Sequence, residues 1–230
     1  MKFHKLLYGA CLLFLGASLS SAESTGKTIQ FRALALEKNL NAELYYKDGS
    51  DYILLPLSHY RPSTQSTAAC DDTGKLLLFE KLETEGGKVV FQQKVKVAVP
   101  NLSKQVLLLA GNHDDKTRVI AVEDNLSGDD KDWLFINTTK SPMAFQIGDA
   151  NKPFPLPPWQ SVPKRVQVDS GKGAAIRVAA FQKEEWKRVY STYWPIYDGQ
   201  RALVICVTRG NKTQVLNFFD VAQPGVTADR

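Results

Sequence analysis

Two stretches of the chain, QVLLLAGNHDDKTRVIAVED (residues 105–124) and RALVICVTRGNKTQVLNFFD (201–220), lie over one another without a gap at an offset of 96 residues. Leu107 falls on Leu203, Lys116-Thr117 on Lys212-Thr213, Val119 on Val215 and Asp124 on Asp220. Each stretch is two apolar runs around a polar tip, the pattern of a β-hairpin. Upstream blocks follow in the same order. ELYYKDGSDYILLPL (43–57) matches AFQIGDANKPFPLPP (144–158) at an offset of 101, and Lys88 to Phe91 faces Lys187 to Tyr190 at 99. The sequence therefore reads as a tandem duplication, and whatever architecture one half adopts must also suit the other.

That constraint decides a local ambiguity. Arg32 to Asp48 can be drawn as a helix with Leu36, Leu40 and Leu44 on one side, but its partner, Trp133 to Asp149, contains Pro142. A proline inside a helix costs ~3 kcal/mol, so the shared form is strand, turn, strand. Elsewhere the apolar stretches are short, rich in β-branched and aromatic residues, and separated by Gly, Asn, Asp or Pro. Val89 to Val99 alternates, with Val89, Phe91, Val95, Val97 and Val99 on one face and lysines on the other, as a half-buried strand does. Only Phe181 to Lys187 keeps a short helical pattern. The expected fold is all-β: two tandem immunoglobulin-like β-sandwich modules, residues 23–124 and 132–222, joined by a polar linker at 125–131 and followed by a tail at 223–230. Modules joined in this way are expected to be separable.

Residues 1–22 carry a basic start at Lys2 and Lys5, an apolar run from Leu6 to Leu19 and small residues up to Ala22. This is the order of a cleavable export signal, and the run is short for a bilayer-spanning helix of ~20 residues. The expectation is a secreted or periplasmic protein with no transmembrane segment after cleavage. Loss of the signal lowers the net charge from +5 to +3, and basic residues occur as isolated pairs, so nucleic acid is not an expected partner. Cys70 and Cys206 then remain. Cys206 lies in the apolar run Ala202 to Val207 and Cys70 beside Asp71-Asp72, which favours two separate thiols over a bridge.

The strand-turn-strand opening LFINTTKSPMAFQIGD (134–149), followed by Leu156-Pro157-Pro158, resembles small secreted bacterial proteins with two β-sandwich domains, such as the periplasmic factor of alginate O-acetylation. That resemblance implies a non-catalytic accessory or adaptor role in the envelope and carries no family residues across.

Candidate sites follow from residue type. Gly26-Lys27-Thr28 lacks the upstream glycine of a phosphate-binding loop, and His59 and His113 have no ligand partner at metal spacing, so no cofactor is expected. Asp124, Asp129, Asp130 and Asp132 crowd the linker. They read as a solvated acidic segment, with calcium held between modules as the competing reading, although the spacing does not fit an EF-hand. The aromatic residues His59, Tyr60, Trp159, Tyr193, Trp194 and Tyr197 are candidates for contact with a protein or polysaccharide partner, against a reading as core. Trp159 is singled out because the repeat sets it opposite polar Ser58. The leading function is a non-enzymatic binding, adaptor or surface-assembly component, pilus-associated or adhesive in one form. The competing class is a carbohydrate-active enzyme using carboxylates among Glu123, Asp124, Glu184 and Glu185 beside an aromatic cleft.

Overall fold

A computed structural model describes residues 27–38, 40, 42–101, 105–113, 116–124, 132–148, 152–166, 173–196 and 200–221. The signal-like segment, the linker at 125–131 and the tail lie outside them. The described residues form sixteen strands and no helix, so none is long and apolar enough to cross a membrane. In the first half these are β1 (Thr28–Ala35), β2 (Tyr45–Asp48), β3 (Asp51–Leu54), β4 (Ser66–Ala69), β5 (Lys75–Glu83), β6 (Val89–Ala98), β7 (Val106–His113) and β8 (Lys116–Glu123). In the second they are β9 (Asp132–Asn137), β10 (Met143–Ile147), β11 (Phe154–Leu156), β12 (Ser161–Arg165), β13 (Ala174–Gln182), β14 (Glu185–Trp194), β15 (Gln200–Arg209) and β16 (Lys212–Val221).

The first half builds two four-stranded sheets, β4-β1-β7-β8 and β3-β2-β5-β6, and the second builds β12-β9-β15-β16 and β11-β10-β13-β14. The second pair of orders repeats the first strand for strand. In both halves the opening strand pairs parallel with the seventh, Phe31 facing Val106 and Leu134 facing Leu203. Both outer hairpins also carry a register shift, at Leu78/Phe79 and at Val178/Ala179. All-β folding with paired sheets around a core is consistent with a β-sandwich in each half.

Burial explains why the inner strands read as continuous apolar runs. On β1, Ile29, Phe31 and Ala33 point into the first core with Tyr46, Leu76 and Leu78, whereas Leu34 points the other way. On β15, Ala202, Val204 and Cys206 enter the second core, while Leu203, Ile205 and Val207 turn outward. The outward-turned residues of the two halves meet. Leu34, Leu107, Leu109 and Val122 pack with Leu134, Ile136, Leu203 and Phe218 in a third buried cluster. The sheets thus stack as four layers, and the middle two are covered on both faces, which removes the polar alternation of a one-sided strand. Burying each such side chain is worth ~1.5–3 kcal/mol before entropy is counted.

Two local expectations are corrected. Phe181 to Lys187 forms the β13–β14 hairpin, not a helix, and its corner residues Lys183 and Glu184 have φ of 51° and 66°. Positive φ at both corners suits the right-handed twist of a two-residue hairpin and overrides the weak helical spacing. The alternation of Val89 to Val99 also breaks. Val95 and Val97 face the first core, but beyond the register shift Phe91 emerges on the opposite face, stacked on Tyr52 with ring centroids 4.1 Å apart. A bulge inserts one residue and so reverses the face. The cysteines are free and buried in different cores, Cys70 in the first and Cys206 in the second. Burial pushes the Cys206 thiol up to about 12, and burial followed by the charge of Asp71 raises Cys70.

Candidate functional site

The interface between the halves ends in two chemically different places. At one end four charged side chains close it. Arg32 donates from Nε to Asp124 Oδ2 at 2.7 Å and from both terminal nitrogens to Asp220 at 2.9 Å. Arg201 donates from Nε to Asp220 Oδ2 at 3.0 Å and from Nη2 to Asp124 Oδ1 at 3.1 Å. Each half supplies one arginine and one aspartate, so the ring of charge is complete only when the halves are together. Arg201 is fully buried and Asp124 and Asp220 nearly so. For Arg32, burial alone would lower the guanidinium, but the hydrogen bonds and charges of Asp220 and Asp124 outweigh it and hold it above its ordinary value.

This arrangement corrects the reading of Asp124 as a solvated linker acid or calcium ligand, because both its carboxylate oxygens accept from guanidinium groups. Asp132 starts β9 with an oxygen 3.9 Å from Arg165, and Asp129 and Asp130 lie outside the described residues. Among the described residues no group of three or more His, Cys, Asp or Glu is placed to hold a metal. Arg32 and Arg201 were not singled out by sequence reasoning. The available signal was the alignment of Asp124 with Asp220 together with a lone arginine inside the apolar run of Phe31 to Leu36.

At the other end the halves part to leave a cleft of about 750 Å³. That volume falls in the ~300–1,000 Å³ range of small-ligand sites. Its floor is the end of the apolar layer, at Leu36, Leu109, Ile120 and Val207. The walls are turns and strand ends: Gly111-Asn112 near the end of β7, Thr138 to Ser141 between β9 and β10, Gln182-Lys183 where β13 runs into its hairpin corner, and Thr208 to Thr213 around the β15–β16 tip. Five cations line it, Arg118, Lys140, Lys183, Arg209 and Lys212, against one carboxylate, Glu37. Both Glu37 oxygens are engaged at 3.1 Å by the backbone and side-chain nitrogens of Asn112, and Arg209 is fixed by a 2.9 Å hydrogen bond from Nη2 to Leu36 O.

Trp159 stands on the rim. It follows Pro158 in the turn between β11 and β12 with φ of 62°, a left-handed conformation rare for a bulky side chain and costing ~1–2 kcal/mol. The turn is anchored by Trp159 N donating to Asn137 O at 2.8 Å. The residue is 38% exposed, and its ring lies under the guanidinium of Arg118, whose central carbon is 4.3 Å from the ring centroid, so an aromatic of the second half meets a cation of the first. Such contacts are worth ~0.5–1 kcal/mol at an exposed site. The supposed pairing of Trp159 with Ser58 shifts by one. Ser58 O accepts from Ala35 N and Gln160 O accepts from Asn137 N, so Gln160 is the counterpart of Ser58 and Trp159 that of Leu57. Leu57 packs on its own core, whereas Trp159 turns toward the other half.

The other aromatic candidates scatter. His59 donates from Nδ1 to Ala35 O at 3.2 Å and meets Phe218 of the second half edge-on, so it belongs to the interface. Tyr60 is largely exposed beside it. Trp194 packs in the second core against Trp133, Tyr193 is exposed on β14, and Tyr197 lies outside the described residues. The carboxylates considered for glycoside chemistry do not converge. Asp124 is held by arginines and Glu184 and Glu185 sit at an exposed hairpin tip, while the described lining of the cleft holds Glu37 alone. Asn137, first residue of the sequon Asn137-Thr138-Thr139, is fully buried, with its amide spent on Ser141 O and Leu156 O.

No family model matches the chain, and no curated protein matches it in sequence.

Proposed function

We propose that this chain is an exported, non-enzymatic component of the cell envelope, secreted or periplasmic, that works by binding a protein or polysaccharide partner through the cleft between its halves. The halves are read as copies of one module. Supporting this are the export-signal pattern of residues 1–22, the strand order repeated from β1–β8 to β9–β16, and the register shift shared by the two outer hairpins. The expected immunoglobulin-like type survives as a two-sheet layout only. In immunoglobulin constant domains the first, second, fifth and fourth strands share a sheet, whereas here β1 lies between β4 and β7.

One observation carries the binding reading: Trp159 is held exposed on a left-handed turn, under a cation of the other half, at the rim of a cleft lined from both. Strain kept at an exposed aromatic is a mark of a functional surface. An adaptor or adhesive protein needs a preformed patch of this kind and no acid–base pair. The test is a photo-crosslinking residue at Lys183, on the rim, or at Lys94, on the exposed face of β6, in the protein as exported by its own cells. A discrete partner or a polysaccharide smear captured from Lys183 and not from Lys94 supports the reading. Equal capture from both, or none from Lys183, overturns it, as would an exported chain that does not begin near Glu23.

A further inference from the structure

The outer face of the β3-β2-β5-β6 sheet carries a cluster of Tyr45, Tyr52, Phe79 and Phe91 in which Tyr52 meets Phe79 at 4.9 Å and Phe91 at 4.1 Å. Those rings satisfy one another, and nothing beside them indicates an occupant. The cleft is different, because its charge and the origin of its polar groups narrow what fits.

Resting on the proposal that the cleft is the binding site, we infer that its ligand is an acidic glycan, a saccharide chain bearing carboxylate groups. The cations are Arg118, Lys140, Lys183, Arg209 and Lys212, and the one opposing carboxylate is already hydrogen-bonded to Asn112. Five cations against one carboxylate give the lining a net +4, beside +3 for the chain without residues 1–22, so the rest of the molecule is close to neutral and the field is concentrated here. Arg118 and Arg209 are positioned before any ligand arrives, one over the Trp159 ring and one by Leu36 O. Pre-placed guanidinium groups suit carboxylates, which they can grip by two parallel hydrogen bonds.

The remaining lining selects among anions. A phosphate site uses backbone N–H groups converging at a glycine-rich loop or helix start, but the described chain has no helix and the cleft presents side chains from separate hairpin tips. Single-stranded nucleic acid requires a succession of stacking platforms, and here Trp159 and Phe181 are the aromatics in the lining. Clustered arginines also grip acidic peptides, but such a peptide brings no sugar ring face to lay on Trp159. Hydroxyl and amide groups of Ser141, Gln182, Thr208 and Asn211 alternate with the charges, as a chain of sugar hydroxyls demands, and the Trp159 ring offers an apolar surface for a pyranose.

Titration calorimetry on the full chain tests this with tetragalacturonate, its neutral methyl ester and a polyglutamate peptide of matched charge. The expected result is saturable binding of tetragalacturonate, weakened at higher salt, at least tenfold weaker binding of the ester, and weaker binding of the peptide. The variant Lys183→Gln/Lys212→Gln, on exposed hairpin tips, should lose at least tenfold in affinity with an unchanged melting temperature. Trp159→Ala should lose a similar factor for the glycan and little for the peptide. If polyglutamate binds better than the glycan and the lysine variant weakens it, the cleft remains a binding site but the glycan inference fails. Equal binding of the methyl ester also overturns the inference. If no probe binds, or binding ignores the lysine and tryptophan variants, the inference and the cleft reading fall together.

Discussion

Replacing Arg201 by methionine should cost the protein a large share of its stability, because the side chain is fully buried and its charge is matched on the far side of the interface. The change removes the hydrogen bonds of Nε to Asp220 and of Nη2 to Asp124, at 3.0 and 3.1 Å, and leaves two buried carboxylates to share Arg32. Breaking a buried ion pair from one side costs ~3–5 kcal/mol, since the remaining charge is neither hydrated nor compensated. A typical domain has ~5–15 kcal/mol in all. At ~2–4 °C per kcal/mol for a chain of this size, the melting temperature should fall by about 6–20 °C. Converting all four residues together, Arg32→Met, Arg201→Met, Asp124→Leu and Asp220→Leu, should instead be close to neutral, because desolvation and pairing disappear together. Urea unfolding of the full chain, with a cycle combining Arg201→Met and Asp124→Asn, measures the coupling directly. A loss below ~1 kcal/mol for Arg201→Met, or additivity of the two changes within ~0.5 kcal/mol, would refute the view that these charges lock the halves together.

Residues 131–222 made alone should aggregate, since Leu134, Ile136, Leu203, Ile205 and Phe218 lose their cover and Arg201 loses Asp124; a soluble monomer with a cooperative melt would contradict this and restore the separable modules expected from sequence. Cys206 should resist alkylation at pH 8 in the folded protein. Because its thiol keeps a proton that the unfolded chain releases above pH ~9, it should make stability fall by roughly 1.4 kcal/mol per pH unit between about 9 and 12, a contribution that Cys206→Ala should subtract in urea titrations. Asn137→Ala should destabilise by roughly 2–4 kcal/mol by orphaning Ser141 O and Leu156 O, and mass analysis of protein made in a glycosylating host should find no glycan at Asn137. Trp159→Gly should melt no lower than Trp159→Ala, because glycine relieves the φ of 62° that alanine keeps, whereas the reverse order would show that the turn is not strained.

The hairpins at 106–123 and 200–221 were legible because their pairing is local and their turn chemistry explicit, and Pro142 sufficed to reject a helix before β10. The continuous run of Ala202 to Val207 announced a buried strand, but a run covered on both faces does not say what covers the second face. That is why the sequence left the contact between the halves open and led to the expectation of separable modules. The bulge that turns Phe91 outward adds no residue type a pattern would flag. The charge ring joins Arg32 to a residue 188 positions away, so its members look like ordinary charged residues until the chain closes. Trp159 was found from its place in the repeat opposite polar Ser58, a register one residue off, and the cations around it come from five separate turns or strands and carry no common motif.

The parallel pairing of β1 with β7 has a kinetic consequence. Phe31 meets Val106 about 75 residues downstream, and β9 likewise waits for β15. Antiparallel hairpins such as β7–β8 can close within microseconds, but contacts between distant segments must overcome the entropy of a long loop first. When β1 leaves the ribosome its first mate, β4, is still about 35 residues away, and the face of the β1-β7-β8 layer that carries Leu34, Leu107 and Leu109 stays sticky until the second half is synthesised. A nascent chain of this kind remains a thread for longer than one built from successive hairpins. It therefore stays open to any factor that binds unfolded chain for the whole time its second half is being made.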